Sequence, residues 1–220
     1  MKSWCFLGCT TQAEILLEQA IKIIGIPKFI CPASDAKGPY VTNITNIAKY
    51  YKIKVVNKKK AFRLLYNDEK IYGLVCRFDI IPESLITRHN RFLNLHNSLL
   101  PKWRGVHPLQ WSILKGEKYI GITFHLCSRN VDMGDIVFQK RILLNINDTI
   151  NDAYKKVIET TKIYVHKALE NWINGKYIKQ DSKRIPYATR LDKNIQIIDI
   201  KDDISVIHNK IRISQPPWPL

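Results

Sequence analysis

The sequence predicts an α/β fold: a Rossmann-like, mostly parallel twisted sheet with helices on both faces and a short C-terminal appendage. Three observations carry that expectation. Short apolar runs alternate with amphipathic segments through the first half of the chain. The apolar runs are nearly continuous, as strands buried on both faces must be. Helix caps and glycine stops punctuate the segments between them. With 220 residues and 45% hydrophobic content, the chain can bury a full core as one domain.

Taken in order, SWCFLGC (from Ser3) reads as a strand. TTQAEILLEQAIKIIG reads as a helix with a threonine cap and Gly25 at its close. KFICP is a strand, ITNIAKYYKI a helix, KVVN a short strand and KAFRLLYNDEK a helix. IYGLVCRF is a buried strand, PESLITRHN a helix opened by Pro82, and FLNLH a further strand. Parallel strands need such crossovers, so this half is expected to form the parallel part of the sheet. The second half differs. HPLQWSILKG is a helix ended by Gly116, and YIGITFHLCS and DIVFQKRILLN read as paired strands around the loop RNVDMGD. A long helix is expected from about Thr149 to Gly175, with Ala153, Val157, Thr161, Val165, Leu169 and Trp172 on one stripe. PYATRLDKNIQIIDI leads to a short amphipathic helix, DISVIHNKIRI. An internal boundary is expected near Ile178 to Arg190, separating residues 1–180 from an appendage at 181–220.

Several function classes drop out. The loop LGCTT after the first strand is not G-x-G-x-x-G and no Walker loop occurs, which argues against a nicotinamide or ATP enzyme. Five scattered cysteines without a C-x-x-C pair indicate neither a zinc site nor a disulfide framework; they read as buried thiols in a reducing cytoplasm. The apolar stretch Trp4 to Leu7 is too short for a signal-peptide core, and no run approaches a membrane span. The formal charge of +16 raises the question of nucleic acid. The lysines, however, are spread along the chain, with a single run at Lys58 to Lys60 and no interleaved aromatics. They read as a solvated surface with no nucleic-acid partner, compatible with a small phosphate-bearing substrate.

Chemistry concentrates in RFLNLHNSLLPKWRGVHPLQW. Side chains alternate along a strand, so Phe92, Asn94 and His96 share one face while Leu93 and Leu95 share the other. Asp132 stands on the loop after GITFHLCS. An amide, an imidazole and a carboxylate at converging strand ends suit acyl transfer without a protein nucleophile. The amide and a protonated imidazole can hold an oxyanion, and the carboxylate can tune the imidazole and collect a proton. From spacing alone a plainer reading stands beside this one: His96 as a core histidine on a backbone carbonyl, Asp132 as a turn-former before Gly134. The other histidines are not spaced as metal ligands, and no metal is expected.

The segment FLNLHNSLLPKWRGVHPLQWSILKGEKYIGITFHLCSRNVDMGDIV resembles the signature of the folate-dependent formyltransferases, which act on glycinamide ribonucleotide, methionyl-tRNA or nucleotide sugars. The family pattern of Asn-x-His, Ser-Leu-Leu-Pro, a Gly-x-Thr strand and an Asp-x-Gly loop matches Asn94 and His96, Ser98 to Pro101, Gly121 and Thr123, and Asp132 with Gly134. The likeness covers residues 71–140 best. It implies a formyltransferase fold with its catalytic domain in residues 1–180, and transfer of a formyl group from N10-formyltetrahydrofolate to an amine. It further implies that Asn94, His96 and Asp132 are catalytic: the first two hold the oxyanion, and Asp132 keeps His96 oriented and charged and helps remove the amine's proton. By position, RFDII (Arg77, Phe78, Asp79, Ile80, Ile81) would grip the folate, largely through main chain. Ordinary loop packing is an equal alternative for Phe78, Ile80 and Ile81.

Among the family's branches, KWRGVHPLQWSILKGEK and the closing VIHNKIRISQPPWPL look most like the sugar branch. The chain ends about where the tRNA branch's C-terminal domain would begin. The expected substrate is therefore a nucleotide-linked amino sugar, a dTDP-4-amino- or dTDP-3-amino-dideoxyhexose for surface polysaccharide (O-antigen). Methionyl-tRNA and glycinamide ribonucleotide are the alternatives, and a basic nucleic-acid-binding protein the competing class. Arg77, Lys102 and Arg104 are candidates for the diphosphate and Trp218 for the nucleobase, each against a plain surface or packing role. The chain stops at Leu220, where relatives continue, which leaves the family's homodimer contact open.

Overall fold

The fold follows the apolar pattern, strand by strand. The computed structural model describes residues 3–34, 44–89, 91–181 and 185–215. Strand β1 (Trp4–Gly8) leads to helix α1 (Thr11–Ile24), where the Thr10 side chain accepts from Ala13 N and Gly25 closes the last turn at φ 86°. Then come β2 (Ile30–Cys31), α2 (Thr45–Tyr50) and α3 (Lys58–Asn67), capped by the Asn57 side chain. KVVN, expected as a strand, makes only an isolated bridge between Val55 and Ile30, too little pairing to extend a ladder. The chain continues through β3 (Tyr72–Cys76), α4 (Glu83–His89) and β4 (Phe92–His96). After β5 (Arg104–Gly105) and α5 (Pro108–Leu114), β6 (Tyr119–Leu126) and β7 (Ile136–Leu143) form a hairpin. The long helix α6 (Ile150–Ile173) starts at a capping box in which Thr149 and Asp152 satisfy each other's backbone N–H groups. Strand β8 (Tyr187–Ala188) and helix α7 (Ile204–Ile213) complete the order.

The six-stranded sheet runs β2-β1-β3-β4-β6-β7. The first four strands are parallel; β6 is antiparallel to β4, and β7 to β6. One face packs Trp4, Phe6, Leu74, Leu93, Leu95, Ile122 and Phe124 against α1, α5 and α6. The other packs Cys5, Leu7, Val75 and Phe92 against α3 and α4. The α6 stripe read from the sequence is buried along its length, including Thr161, which lies under the Gln12 amide.

The described residues beyond 181 are tied to the main body. Strand β8 pairs in parallel with β5. Leu191 and Ile213 join the larger core, and the buried Arg212 donates to the carbonyls of Asp148 and Asn145.

Candidate active site

Parallel strands deliver their carboxyl ends to one edge of the sheet, where ligands collect in open α/β folds. Strand β4 ends there with Asn94 and His96. Across the antiparallel ladder Asn94 faces His125 and His96 faces Thr123. On this face the sheet turns from apolar at Phe92 to polar at Asn94, His96, Thr123 and His125.

Asp132 enters from the loop between β6 and β7. Its Oδ2 stands 3.5 Å from His96 Nδ1, and its Oδ1 stands 3.3 Å from His125 Nε2. Gly105 N donates to Oδ2 at 2.8 Å. Asn94 Nδ2 lies 3.1 Å from His125 Nε2. The three sequence-predicted residues thus converge, with His125 as a fourth.

Backbone carbonyls set the tautomers, because a carbonyl only accepts. His96 Nε2 faces Trp103 O at 2.8 Å and so carries the proton, leaving Nδ1 toward Asp132. His125 Nδ1 faces Leu126 O at 2.9 Å, so its Nε2 can accept the Asn94 amide. One Asn94 N–H is then held by His125 and the other is left for a ligand.

Burial pushes His96 below the ordinary imidazole value, and His125 adds to this, while Asp132 and the Trp103 carbonyl act against it. The resemblance implies a charged His96; burial works against that charge, and the Asp132 carboxylate beside Nδ1 works for it. Burial would raise the Asp132 carboxyl, but the His96 and His125 rings and the Gly105 N–H outweigh it and hold it well below the usual range. The site therefore combines a carboxylate held ionised, an imidazole whose Nδ1 faces it, and an amide donor.

The backbone around these groups is unusual. Arg77, Trp103, His107 and Asp132, at φ between 50° and 59°, are left-handed although none is glycine. Each such residue costs on the order of 1 kcal/mol or more, and they gather where a structure holds groups in place for function. Gly134 follows the Asp132 turn because a Cβ there would run into Leu126 O.

The other expected residues separate. The loop of residues 77–81 leaves β3 at the carboxyl end of β4, just past the Cys76–Leu95 pair. Arg77 is exposed and Ile80 is 82% exposed, whereas Ile81 is buried and Phe78 packs edge-on against Phe62. Asp79 accepts from Ser34 and Lys58 and braces two loops. Lys102 is exposed and pairs with Glu117. Arg104, expected at a diphosphate, is 3% exposed instead, and its guanidinium donates to Gln180 Oε1 and Asp181 O. Trp218 lies outside the described residues.

His125, Gly105 N and Gln180 were not anticipated. The alternation in IGITFHL, with Ile120, Ile122, Phe124 and Leu126 on one face, already set Thr123 and His125 on the other. No sequence signal marks the other two. Among the described residues there is no cluster of three His, Cys, Asp or Glu able to hold a metal, and no helix is long and apolar enough to cross a membrane.

A family model described as formyl transferase matches residues 48–169, more than half of the chain. The chain belongs to this family. A methionyl-tRNA formyltransferase of Clostridium perfringens is 32% identical over 80% of this chain, which spans 58% of that relative's length. One from Thermotoga maritima is 31% identical over 94% of this chain and 71% of its own. Among solved structures of formyltransferases, the sugar 3N-formyl transferase WlaRD, in the presence of dTDP and 5-N-formyl-THF, superposes with a TM-score of 0.82 at 27% identity, covering 96% of this chain and 78% of that one. An N-formyltransferase from Helicobacter canadensis, in complex with folinic acid and dTDP-3-aminofucose, gives 0.81 at 26%, covering 96% and 80%. Sequence likeness thus points to tRNA enzymes of the family, and structural likeness to sugar enzymes with the formyltransferase fold.

Proposed function

We propose that this formyltransferase moves a formyl group from N10-formyltetrahydrofolate to the amine of a nucleotide-linked amino-dideoxy sugar, a dTDP-3-amino- or dTDP-4-amino-dideoxyhexose, in the cytoplasm, for surface polysaccharide. The observation that carries this reading is the convergence of Asn94, His96 and Asp132 at the strand ends, in a chain most of whose length superposes on sugar formyltransferases.

In this reading Asn94, His96 and Asp132 are the catalytic residues, and residues 77–81 border the folate. The neutral amine of the sugar attacks the formyl carbon, forming a C–N bond and a tetrahedral oxyanion. The free N–H of Asn94 stabilises that oxyanion as a donor fixed in advance by the strand. His96 Nδ1 takes the amine's proton, and Asp132 holds the imidazolium that results. Breaking the bond to N10 restores the carbonyl, and the proton passes to N10, which completes the balance. Arg77, exposed after β3, is the cation kept for the diphosphate, with Lys102 as a second exposed cation and Trp218 kept for the nucleobase. Residues 1–180 would form the catalytic domain and 181–220 its appendage.

The test is a direct assay of purified protein with N10-formyltetrahydrofolate and either dTDP-3-aminofucose, its 4-amino counterpart or initiator methionyl-tRNA. The sugar nucleotides should be formylated and the tRNA not. Formylation of the tRNA at comparable efficiency would overturn the sugar assignment. The second reading, a tRNA enzyme, is favoured by the sequence relatives, and it further requires binding that weakens steeply with salt.

A further inference from the structure

Three consecutive residues, Trp103, Arg104 and Gly105, reach three parts of the site. Trp103 O receives His96 Nε2, and Gly105 N donates to the Asp132 carboxylate. Between them, Arg104 turns away and donates Nε to Gln180 Oε1 at 2.7 Å and Nη2 to Asp181 O at 2.9 Å. Gln180 completes the circuit. Its Nε2 donates to Asp132 O at 3.0 Å and to Gly134 O at 2.9 Å. Both hydrogens and the oxygen of this amide are used, and every partner belongs to the site's rim.

The two carbonyls that Gln180 holds flank a turn with an intrinsic cost. Asp132 is left-handed at φ 54°, a sparsely populated region for any residue but glycine, although Asp enters it more readily than most. Left free, the turn would relax and carry the carboxylate away from His96. Arg104 in turn fixes the orientation of the Gln180 amide, since a guanidinium donates only to the oxygen and so aims the NH2 end at the loop.

From this geometry we infer that Gln180 and Arg104 are positioning residues, a brace that holds the Asp132 turn, and so the carboxylate, in register with His96. The inference rests on the role given to Asp132 above. It ties the segment after α6 to the reacting groups, at residues 46 and 48 positions away from the carbonyls they hold. Substitution of either brace residue should therefore act as if Asp132 itself had been partly displaced.

The test has an arm that needs no substrate. The Gly105 amide bonds directly to the Asp132 carboxylate, so its hydrogen exchange reports the position of that side chain. In Gln180→Ala, Gly105 should exchange at least about tenfold faster, while amides of the β6–β7 ladder such as Phe124 keep their protection. Wild-type exchange at Gly105 overturns the brace. The second arm is a kinetic cycle. Gln180→Ala should lower kcat by about tenfold with KM changed little, and this cost should fall below about twofold in an Asp132→Asn background, as coupled residues behave. A loss of the same size in both backgrounds overturns the brace. If Asp132→Asn leaves turnover intact while Gly105 exchange rises, the catalytic reading fails and the brace stands as a structural one. Should Gln180→Ala not fold, Gln180→Glu, equal in size but lacking the NH2 donors, takes its place in both arms.

Discussion

Strands β4 and β6 carry two different regions back to back. On one face the cross-strand pairs are Leu93 with Leu126 and Leu95 with Phe124; on the other they are Asn94 with His125 and His96 with Thr123. The backbone is shared, and the side chains alternate. The apolar face packs on α1 and α6 and supplies stability through area removed from water. The polar face gives up that gain and instead holds groups whose charge and orientation matter, each satisfied by a neighbour rather than by burial. Stability and chemistry are thus separable here at the level of single positions one residue apart.

Breaking the apolar face should give the largest effect. Phe124 is fully buried, and Phe124→Ala should cost about 3–5 kcal/mol, from lost transfer energy and the cavity left behind. Denaturant unfolding measures it, and turnover per folded molecule should stay within about twofold of wild type, because the polar face of β6 keeps its backbone.

Breaking the polar face should invert that pattern. Asn94→Ala should lower turnover on the order of 100-fold with a smaller change in KM, the scale of one lost oxyanion donor. Asp132→Asn should match it and also move the pH profile. Asp132 raises the His96 value against burial, so its neutralisation lowers that value further. The acid limb, where His96 must be neutral to take a proton, should shift to lower pH. His96→Ala should cost as much as the double change His96→Ala with Asp132→Asn, because the two act as a unit. If His96→Ala keeps near-normal turnover in a folded protein, the mechanism is wrong.

The smallest effect sharpens the contrast at the rim. Lys102 pairs with Glu117 in solvent, and its side chain is 55% exposed. Lys102→Ala should change stability by less than about 1 kcal/mol, as exposed ion pairs do. A larger loss in thermal unfolding would show that the rim stabilises the fold.

The elements were legible in the sequence because their signals are local. Period-two alternation marked β4 and β6, the threonine and glycine caps bounded α1, and one apolar stripe defined α6. KVVN had the composition of a strand but made one bridge, since pairing depends on a partner and not on propensity. In the site, alternation put Asn94 and His96 on one face, and the motif resemblance singled out Asp132. His125 was legible by the same alternation.

Arg104 shows where reading by residue type stops. As a sequence feature it is a cation near a motif; in the fold it is buried and holds Gln180, 76 positions away. The choice between binding an anion outside and bracing a loop inside is made by which way the side chain points. The downward pull of burial on His96 is likewise a property of its surroundings, because desolvation exists only once neighbours exclude water. Local pattern determined the strands, the helices and the chemical groups available. Long-range packing assigned those groups their partners, their protonation and their roles, because each depends on distances between residues that the chain order leaves far apart.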